Sequence, residues 1–144
     1  MILFVDTSVL VKLYIAEPGS ERMRESAAQE VRIAASVLAF AEIHATFARR
    51  RREALLLAPE LEELLLRFAD DWEELLQVPV GAEVLAFIPE LCKRHPLRGA
   101  DAVHLASALL LRQELEVLFA CSDGSLLAAA AAEGLAIFNP VDGP

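Results

Sequence analysis

The sequence predicts an α/β fold, with a mainly parallel sheet of roughly four or five short strands covered by helices on both faces. Apolar runs at Ile2–Val5 and Val117–Cys121 have the near-continuous hydrophobicity of strands buried on both faces. Helical stretches separate the strand candidates, and this alternation favours parallel pairing. No internal repeat or linker interrupts the pattern, so the 144 residues are predicted to form one domain over 1–144.

The chain begins with a predicted strand and a short helix. The strand over Ile2–Val5 leads into a helix over Val9–Tyr14, with Thr7 or Ser8 as its N-cap and Asp6 as the alternative cap. Apolar spacing and capping residues then predict three more elements. They are a helix over Glu21–Glu30 capped by Ser20, a strand over Val31–Ala35, and a helix over Val37–Arg52 capped by Ser36.

The rest of the chain continues the alternation and ends in a strand. Pro59 begins a helix that runs to about Gln77 and forms a hairpin with the preceding helix. The His95-Pro96 pair ends a later helix, and Gly134 ends the last one. The remaining elements, in order, are a strand over Gln77–Val80, helices over Glu83–Arg94 and Gly99–Glu114, a strand over Val117–Cys121, a helix over Gly124–Glu133 and a strand over Leu135–Phe138.

The composition excludes several classes of protein. Hydrophobic residues make up 56% of the chain, which argues against disorder, but charges interrupt every apolar run before it can span a bilayer. The amino terminus lacks the basic region and cleavage site of a secretory signal, so we expect a cytoplasmic protein. The formal net charge of −9 argues against a non-specific nucleic-acid binder and favours a basic protein partner. Cys92 and Cys121 form no metal motif, and we expect both to be reduced and buried.

Four acidic residues stand apart from the solvated ones. Asp6 and Asp123 each follow a predicted strand, so they are expected at the same edge of the sheet, where open α/β folds bind ligands. Glu42 and Asp101 lie in apolar stretches of predicted helices, where an isolated charge is costly. Carboxylates brought together require a cation or raised pKa values. Oxygen ligands without a His or Cys cluster favour Mg²⁺ or Mn²⁺, which activate water in phosphodiester hydrolysis.

Each of these acids also has a purely structural interpretation. Asp6 and Asp123 are suitable N-caps for the helices that follow them. Glu42 has arginines two turns further along its helix as possible partners, or it lies on a solvated stripe. Asp101 is placed where a negative charge stabilises a helix N-terminus. The residues alone leave these interpretations open.

Four short motifs, taken in order, resemble the PIN-domain family, and specifically the VapC-like toxins of bacterial and archaeal toxin–antitoxin pairs. The resemblance covers essentially the whole chain, and although each motif is short, all four in this order make a specific match. The motifs are Asp6-Thr7-Ser8-Val9-Leu10-Val11-Lys12-Leu13-Tyr14, Ala41-Glu42-Ile43, the block from Leu97 to Ala106 that contains Asp101, and Cys121-Ser122-Asp123.

The resemblance implies a three-layer α/β/α sandwich and an endoribonuclease that depends on Mg²⁺ or Mn²⁺. It implies that the metal-binding and catalytic acids are Asp6, Glu42, Asp101 and Asp123, with Ser8 as a supporting residue. In such a mechanism the metal holds the scissile phosphate and the attacking water. The resemblance also implies a homodimer that a cognate antitoxin protein inhibits.

The chain departs from the family pattern at the fourth motif. Cys121 stands where the family often has threonine, which weakens a hydroxyl role there unless Ser122 compensates. Gly124-Ser125 follow Asp123 where the family often has basic residues. These departures motivate an alternative function, a catalytically inactive PIN-like module that acts through a protein partner. A phosphatase with Asp6 as nucleophile is disfavoured, because such sites need a second acid where Ser8 stands.

Basic residues near these acids are candidates for contact with RNA. The run Arg49–Arg52 is either a solvated helix end or a patch that contacts phosphate, with Arg49 and Arg50 as the candidate residues. Arg98 is near the third acid and is a further candidate for phosphate contact. His104 lies one turn after Asp101, and we expect a packed, hydrogen-bonded side chain there in preference to a general base.

Overall fold

The central feature of the computed structural model is one five-stranded sheet, and the structure describes residues 1–29 and 32–142. All the pairings between neighbouring strands are parallel, in the order β3-β2-β1-β4-β5. The parallel sheet predicted from the alternation of strands and helices is therefore confirmed. The strands are β1 (Ile2–Val5), β2 (Arg32–Ser36), β3 (Leu76–Val78), β4 (Val117–Ala120) and β5 (Ala136–Phe138).

Helices connect the strands, and a 3₁₀ turn over Val11–Leu13 follows the first of them. The hairpin predicted between residues 37 and 77 corresponds to two helices, α3 and α4, which pack against each other. The helices are α1 (Thr7–Leu10), α2 (Ser20–Ala27), α3 (Leu38–Arg52), α4 (Ala58–Glu74), α5 (Ala82–Leu85), α6 (Ile88–Arg94), α7 (Gly99–Arg112) and α8 (Gly124–Ala132).

The sheet separates two hydrophobic clusters, and this gives the three-layer sandwich. Successive side chains of a strand point to opposite faces. Ile2 and Phe4 of β1 accordingly pack in one cluster, whereas Leu3 and Val5 pack in the other. Both faces of β1 are covered, so the strand that precedes Asp6 lies at the centre of the fold. The helical residues are divided in the same way, with Leu105 and Leu126 in the first cluster and Phe47 and Phe68 in the second.

Several predicted boundaries are wrong for identifiable reasons. The single helix predicted over Glu83–Arg94 is two helices, because Pro89 lacks the amide hydrogen of a helix interior and instead lies in the first turn of α6. The predicted strand at Gln77–Val80 is Leu76–Val78 and ends before Pro79. The first helix begins at Thr7, and it becomes a 3₁₀ turn after Leu10.

Two further predictions concern the cysteines and the boundary between the second helix and the second strand. Cys121 is buried, but Cys92 is exposed, so the prediction that both cysteines are buried is wrong for Cys92. Glu30 and Val31, predicted to end a helix and begin a strand, lie outside the described residues. Among the residues that the structure describes, no helix combines the length and apolar character that a membrane crossing needs.

Candidate metal-binding active site

The candidate site lies at the carboxyl edge of β1 and β4, which are neighbours in the sheet. Their register pairs Val5 with Ala120, so the segments that follow the two strands leave the sheet side by side. The Asp6 amide donates a hydrogen bond to the Ala120 carbonyl at 3.3 Å, and the Ser122 amide donates to Ser8 Oγ at 3.2 Å. The two loops that carry the first and fourth acids are therefore joined directly.

Asp6 is the most buried of the four acids, with 4% of its surface exposed. Its Oδ1 accepts hydrogen bonds from Ser8 Oγ at 2.6 Å and from the Val9 amide at 3.3 Å. Asp6, and not Thr7 or Ser8, is thus the N-cap of α1, because only its side chain reaches the free amide of Val9. Burial raises the pKa of Asp6 above its usual range, against the opposing effect of the Ser8 hydrogen bond. Among the described residues, no cationic side chain forms an ion pair with it.

Glu42 reaches the site from α3 and is half-buried, so it is less enclosed than the apolar sequence around it suggests. Its Oε1 accepts hydrogen bonds from Thr7 Oγ1 at 2.8 Å and from His104 Nε2 at 2.6 Å. The His104 hydrogen bond is the main cause of a lowered pKa for Glu42, and partial burial opposes it. The alternative of a pair with an arginine of α3 is wrong, since the partners of Glu42 come from α1 and α7.

Asp101 lies in the first turn of α7 and is bound by the preceding arginine. Arg98 Nε donates to Asp101 Oδ2 at 3.2 Å, although the Arg98 side chain is 82% exposed. The bond to Asp101 raises the pKa of Arg98, and the charges of Asp123 and Glu42 add to the effect. Three of the four acids therefore lie within electrostatic reach of one guanidinium group.

Asp123 follows β4 and caps α8, where its Oδ1 accepts from the Leu126 amide at 3.0 Å. Cys121, in the position where the family often has threonine, is bonded within the same turn. Its Sγ accepts from the Asp123 amide at 3.2 Å and donates to the Asp123 carbonyl at 3.6 Å. Burial, followed by the charge of Asp6, raises the pKa of the Cys121 thiol far above its usual range. Cys121 thus remains a neutral thiol that shapes the turn.

The donor set fits a hard divalent cation in its chemistry. All four acids offer carboxylate oxygens, the ligands that Mg²⁺ and Mn²⁺ prefer. The buried charge of Asp6 is unfavourable without a cation, and a bound metal would remove that penalty. In the described part of the chain, however, no three His, Cys, Asp or Glu side chains converge tightly enough to hold a metal as they stand. One of the four acids, Asp101, is paired with Arg98 at 3.2 Å.

The candidate RNA contacts differ in their surroundings. Arg50 is bound to Glu17 at 3.0 Å, and Glu17 also accepts from buried Lys12 at 2.8 Å. Arg49 is exposed, and its side chain forms no hydrogen bond or ion pair with any described residue. Of the two neighbours, Arg49 is therefore the one whose charge stays available to a ligand.

Two side chains, Thr7 and His104, donate hydrogen bonds to Glu42, and the sequence predicts the environment of only one of them. His104 was expected to be packed and hydrogen-bonded, and this is confirmed, since it is 2% exposed and bonded to Glu42. The role of Thr7 was missed, because Thr7 was interpreted only as a cap. Its actual partner is 35 positions away, and no local pattern reports such a contact.

The PIN-domain family model matches residues 3–120. The chain belongs to the PIN-domain family. Two relatives from Mycobacterium tuberculosis place it among the VapC-like members: ribonuclease VapC45 (strain CDC 1551 / Oshkosh) and ribonuclease VapC49 (strain ATCC 25618 / H37Rv). Each is 38% identical over 110 residues, a match that covers 75% of this chain and 75% of the relative.

Solved structures of other PIN-like chains share the fold. FitAcB from Neisseria gonorrhoeae superposes with a TM-score of 0.71 at 22% identity, covering 97% of this chain and 98% of that chain. VapBC2 from Rickettsia felis, bound to a DNA fragment from its promoter, superposes with a TM-score of 0.68 at 14% identity. The match covers 96% of this chain and 98% of that chain. At these identities the likeness shows the α/β fold of this chain.

Proposed function

We propose that this chain is the toxin of a toxin–antitoxin pair and acts as a metal-dependent endoribonuclease that hydrolyses RNA phosphodiester bonds. The observation that carries the proposal is the buried carboxylate of Asp6, which has no cationic partner among the described residues and lies at the ligand-binding edge of a PIN-domain sheet. The two VapC relatives are ribonucleases by name. We expect the activity in the cytoplasm, where both RNA and an antitoxin are available.

The acids that would hold Mg²⁺ or Mn²⁺ are Asp6, Glu42, Asp101 and Asp123. When bound, the metal would polarise the scissile phosphate and supply an activated water. The chain itself fixes two of these acids before any ligand arrives. Hydrogen bonds from Ser8 and the Val9 amide orient Asp6, and two side-chain donors orient Glu42. The hydrogen bond from Ser8 to Asp6 supports the proposal that Ser8 assists the acids in this site.

Arginine side chains would hold the RNA backbone. Arg98 is exposed and lies at the acidic site, so its guanidinium is available to pair with a phosphate in place of Asp101. Arg49 is a second candidate, since its charge is unpaired among the described residues, whereas Arg50 is engaged by Glu17. Comparing Arg49→Gln with Arg50→Gln tests this assignment. We expect weaker RNA binding from the first and a lower melting temperature from the second.

An antitoxin would act by covering this acidic site. The chain carries a net charge of −9, which favours a basic partner segment. We propose that an arginine of the antitoxin pairs with the four acids, and that the toxin assembles as a homodimer. Replacing that arginine should weaken inhibition, and an unchanged complex would contradict the idea. Sedimentation of the purified toxin tests the dimer.

A PIN-like binding module without catalysis is the second candidate. Two observations favour it. Cys121 stands in the fourth motif where the family often has threonine, and no three acidic side chains among the described residues lie close enough together to hold a metal ion. Calorimetric titration with Mn²⁺ separates the two functions. Tight binding that is lost in Asp6→Asn supports the nuclease, whereas no binding by folded wild-type protein supports the module.

The decisive experiment is cleavage of a mixed RNA set with Mn²⁺ by purified toxin freed from antitoxin. Wild type is compared with Asp6→Asn and Asp101→Asn, each checked for an intact fold by circular dichroism. We expect cleavage by wild type and none by either variant. Equal cleavage by all three would point to a contaminating nuclease, and none by any would favour the binding module.

A further inference from the structure

Two donors converge on a single oxygen of Glu42. Thr7 Oγ1 and His104 Nε2 donate to Oε1 at 2.8 and 2.6 Å, from α1 and α7 respectively. The second oxygen, Oε2, forms no hydrogen bond or ion pair with a described residue. One oxygen of this carboxylate is therefore saturated by the protein, and the other is left for a ligand.

His104 is placed in a way that packing alone does not explain. Its ring is 2% exposed, and its Nδ1 is buried without a hydrogen-bond partner among the described residues. Because the Glu42 carboxylate can only accept, the ring hydrogen lies on Nε2. An unpaired buried nitrogen is unfavourable, and leucine would fill similar space without that cost. The ring is thus best explained by the bond that it donates to Glu42.

We propose that His104 is a positioning residue that, together with Thr7, fixes Oε1 of Glu42 and so presents Oε2 to the metal ion. This inference rests on the proposed metal-dependent function. Two donors from different helices restrict the rotation of the carboxylate, so that less freedom is lost when a metal binds. Residues that orient a metal ligand in this way typically change metal affinity by about 10- to 100-fold when they are removed.

Calorimetric titration with Mn²⁺ measures this role directly. We expect His104→Leu, which keeps much of the volume and loses the donor, to bind Mn²⁺ about tenfold more weakly than wild type. His104→Gln retains an amide donor and should recover most of the affinity. His95→Leu is the matched control, because His95 forms a similar bond of 2.7 Å to Glu133 outside the site. It should leave Mn²⁺ affinity unchanged.

A second comparison shows whether His104 acts through Glu42. In a Glu42→Gln background the further change His104→Leu should have no effect on the residual Mn²⁺ affinity, because the charged carboxylate that His104 positions is replaced by a neutral amide. A general structural role would instead give the same loss in both backgrounds. Thr7→Val removes the other donor to Oε1 and should also weaken binding, which provides a measurement if His104→Leu does not fold.

The outcomes separate this inference from the proposed function. If wild type binds Mn²⁺ and cleaves RNA but folded His104→Leu binds equally well, the positioning role is overturned and the proposed function stands. A loss of affinity that persists in the Glu42→Gln background also overturns it. If folded wild type neither binds Mn²⁺ nor cleaves RNA, the proposed function fails and the inference fails with it.

Discussion

Two glutamate–histidine pairs lie at opposite edges of the sheet. Glu42 and His104 join α3 to α7 at the carboxyl edge, with Oε1 and Nε2 2.6 Å apart. Glu133 follows α8 and His95 follows α6 at the other edge, with Oε2 and Nε2 2.7 Å apart. In both pairs the histidine hydrogen bond is the main cause of a lowered glutamate pKa.

The pairs differ in what neutralises the carboxylate. Arg94 donates to both oxygens of Glu133, at 2.8 and 3.0 Å, and Arg112 donates to its carbonyl at 2.6 Å. Glu42 has no arginine within ion-pair distance among the described residues, and one of its oxygens is free of hydrogen bonds. The Glu133 carboxylate thus has partners on both oxygens and joins three helix ends, whereas the Glu42 carboxylate has one oxygen without a partner among the described residues. The two pairs have the same residue types, and the difference between them is the surrounding charge balance.

The largest difference between the Glu42 and Glu133 pairs is expected in RNA cleavage. Glu42→Gln should lower cleavage by at least about a hundredfold, because it removes a proposed ligand and even outer contacts of metal sites typically change activity by 10- to 100-fold. Glu133→Gln should retain nearly wild-type activity, since Glu133 lies at the other edge of the sheet. Cleavage rates at saturating Mn²⁺ measure both. A similar loss in the two variants would break the distinction between the pairs.

Stabilisation by Mn²⁺ should likewise depend on the Glu42 pair and not on the Glu133 pair. A ligand at 100 times its dissociation constant stabilises a protein by about 2.7 kcal/mol, which raises the melting temperature of a domain of this size by roughly 5–11 °C. We expect Mn²⁺ to produce this shift in wild type and Glu133→Gln but not in Glu42→Gln. Differential scanning calorimetry with and without Mn²⁺ measures it, and an intact shift in Glu42→Gln would remove Glu42 from the ligand set.

The pH dependence of stability should reveal the Glu133 pair. The pKa of Glu133 lies below the ordinary value of 4.5. The stabilisation that the charged Glu133 carboxylate provides is therefore present above pH 4.5 and is lost as the pH falls through the lowered pKa. Glu133→Gln should therefore reduce the free energy of unfolding at pH 7 by about 1.5–3 kcal/mol, as for a hydrogen bond to a charged group. Urea unfolding at pH 7 and at acid pH tests this. A difference that does not shrink in acid would contradict it.

The smallest effect is expected from the arginine of the distal pair. Arg94→Gln leaves Glu133 with His95 as its main partner, so the pair resembles that of Glu42. The Arg94 side chain is 52% exposed, and exposed ion pairs contribute about 0–1 kcal/mol. Urea unfolding should therefore show a loss of less than about 1 kcal/mol. A much larger loss would mean that Arg94, and not His95, holds Glu133.

The sequence determines the fold more clearly than the contacts within the site. The apolar run at Ile2–Val5 and the alternation after it were enough to predict a parallel sheet, because local hydrophobicity reports burial directly. The sequence also predicted the edge of the sheet at which Asp6 and Asp123 lie, since each follows a strand and the two strands are neighbours. The pairing of Glu42 with His104 joins residues 62 positions apart, and it depends on how α3 packs against α7.

Some local predictions failed because two uses of one residue type compete. Thr7 and Ser8 are good caps by composition, yet the carboxylate of Asp6 takes that position and leaves their hydroxyls to bond Glu42 and Asp6. Proline is favourable in the first turn of a helix but breaks a helix interior. Pro89 lies in the first turn of α6, so the one helix predicted there is two helices. Such choices are decided by the surrounding packing.

The two roles of Asp6 determine what its mutation to asparagine would change. The carboxylate that the proposed chemistry needs is at the same time the cap of α1. Asparagine caps helices about as well as aspartate, and it also removes the charge that burial penalises. Under the proposed function, a single codon change from Asp6 to Asn would remove a metal ligand and leave the cap of α1 in place.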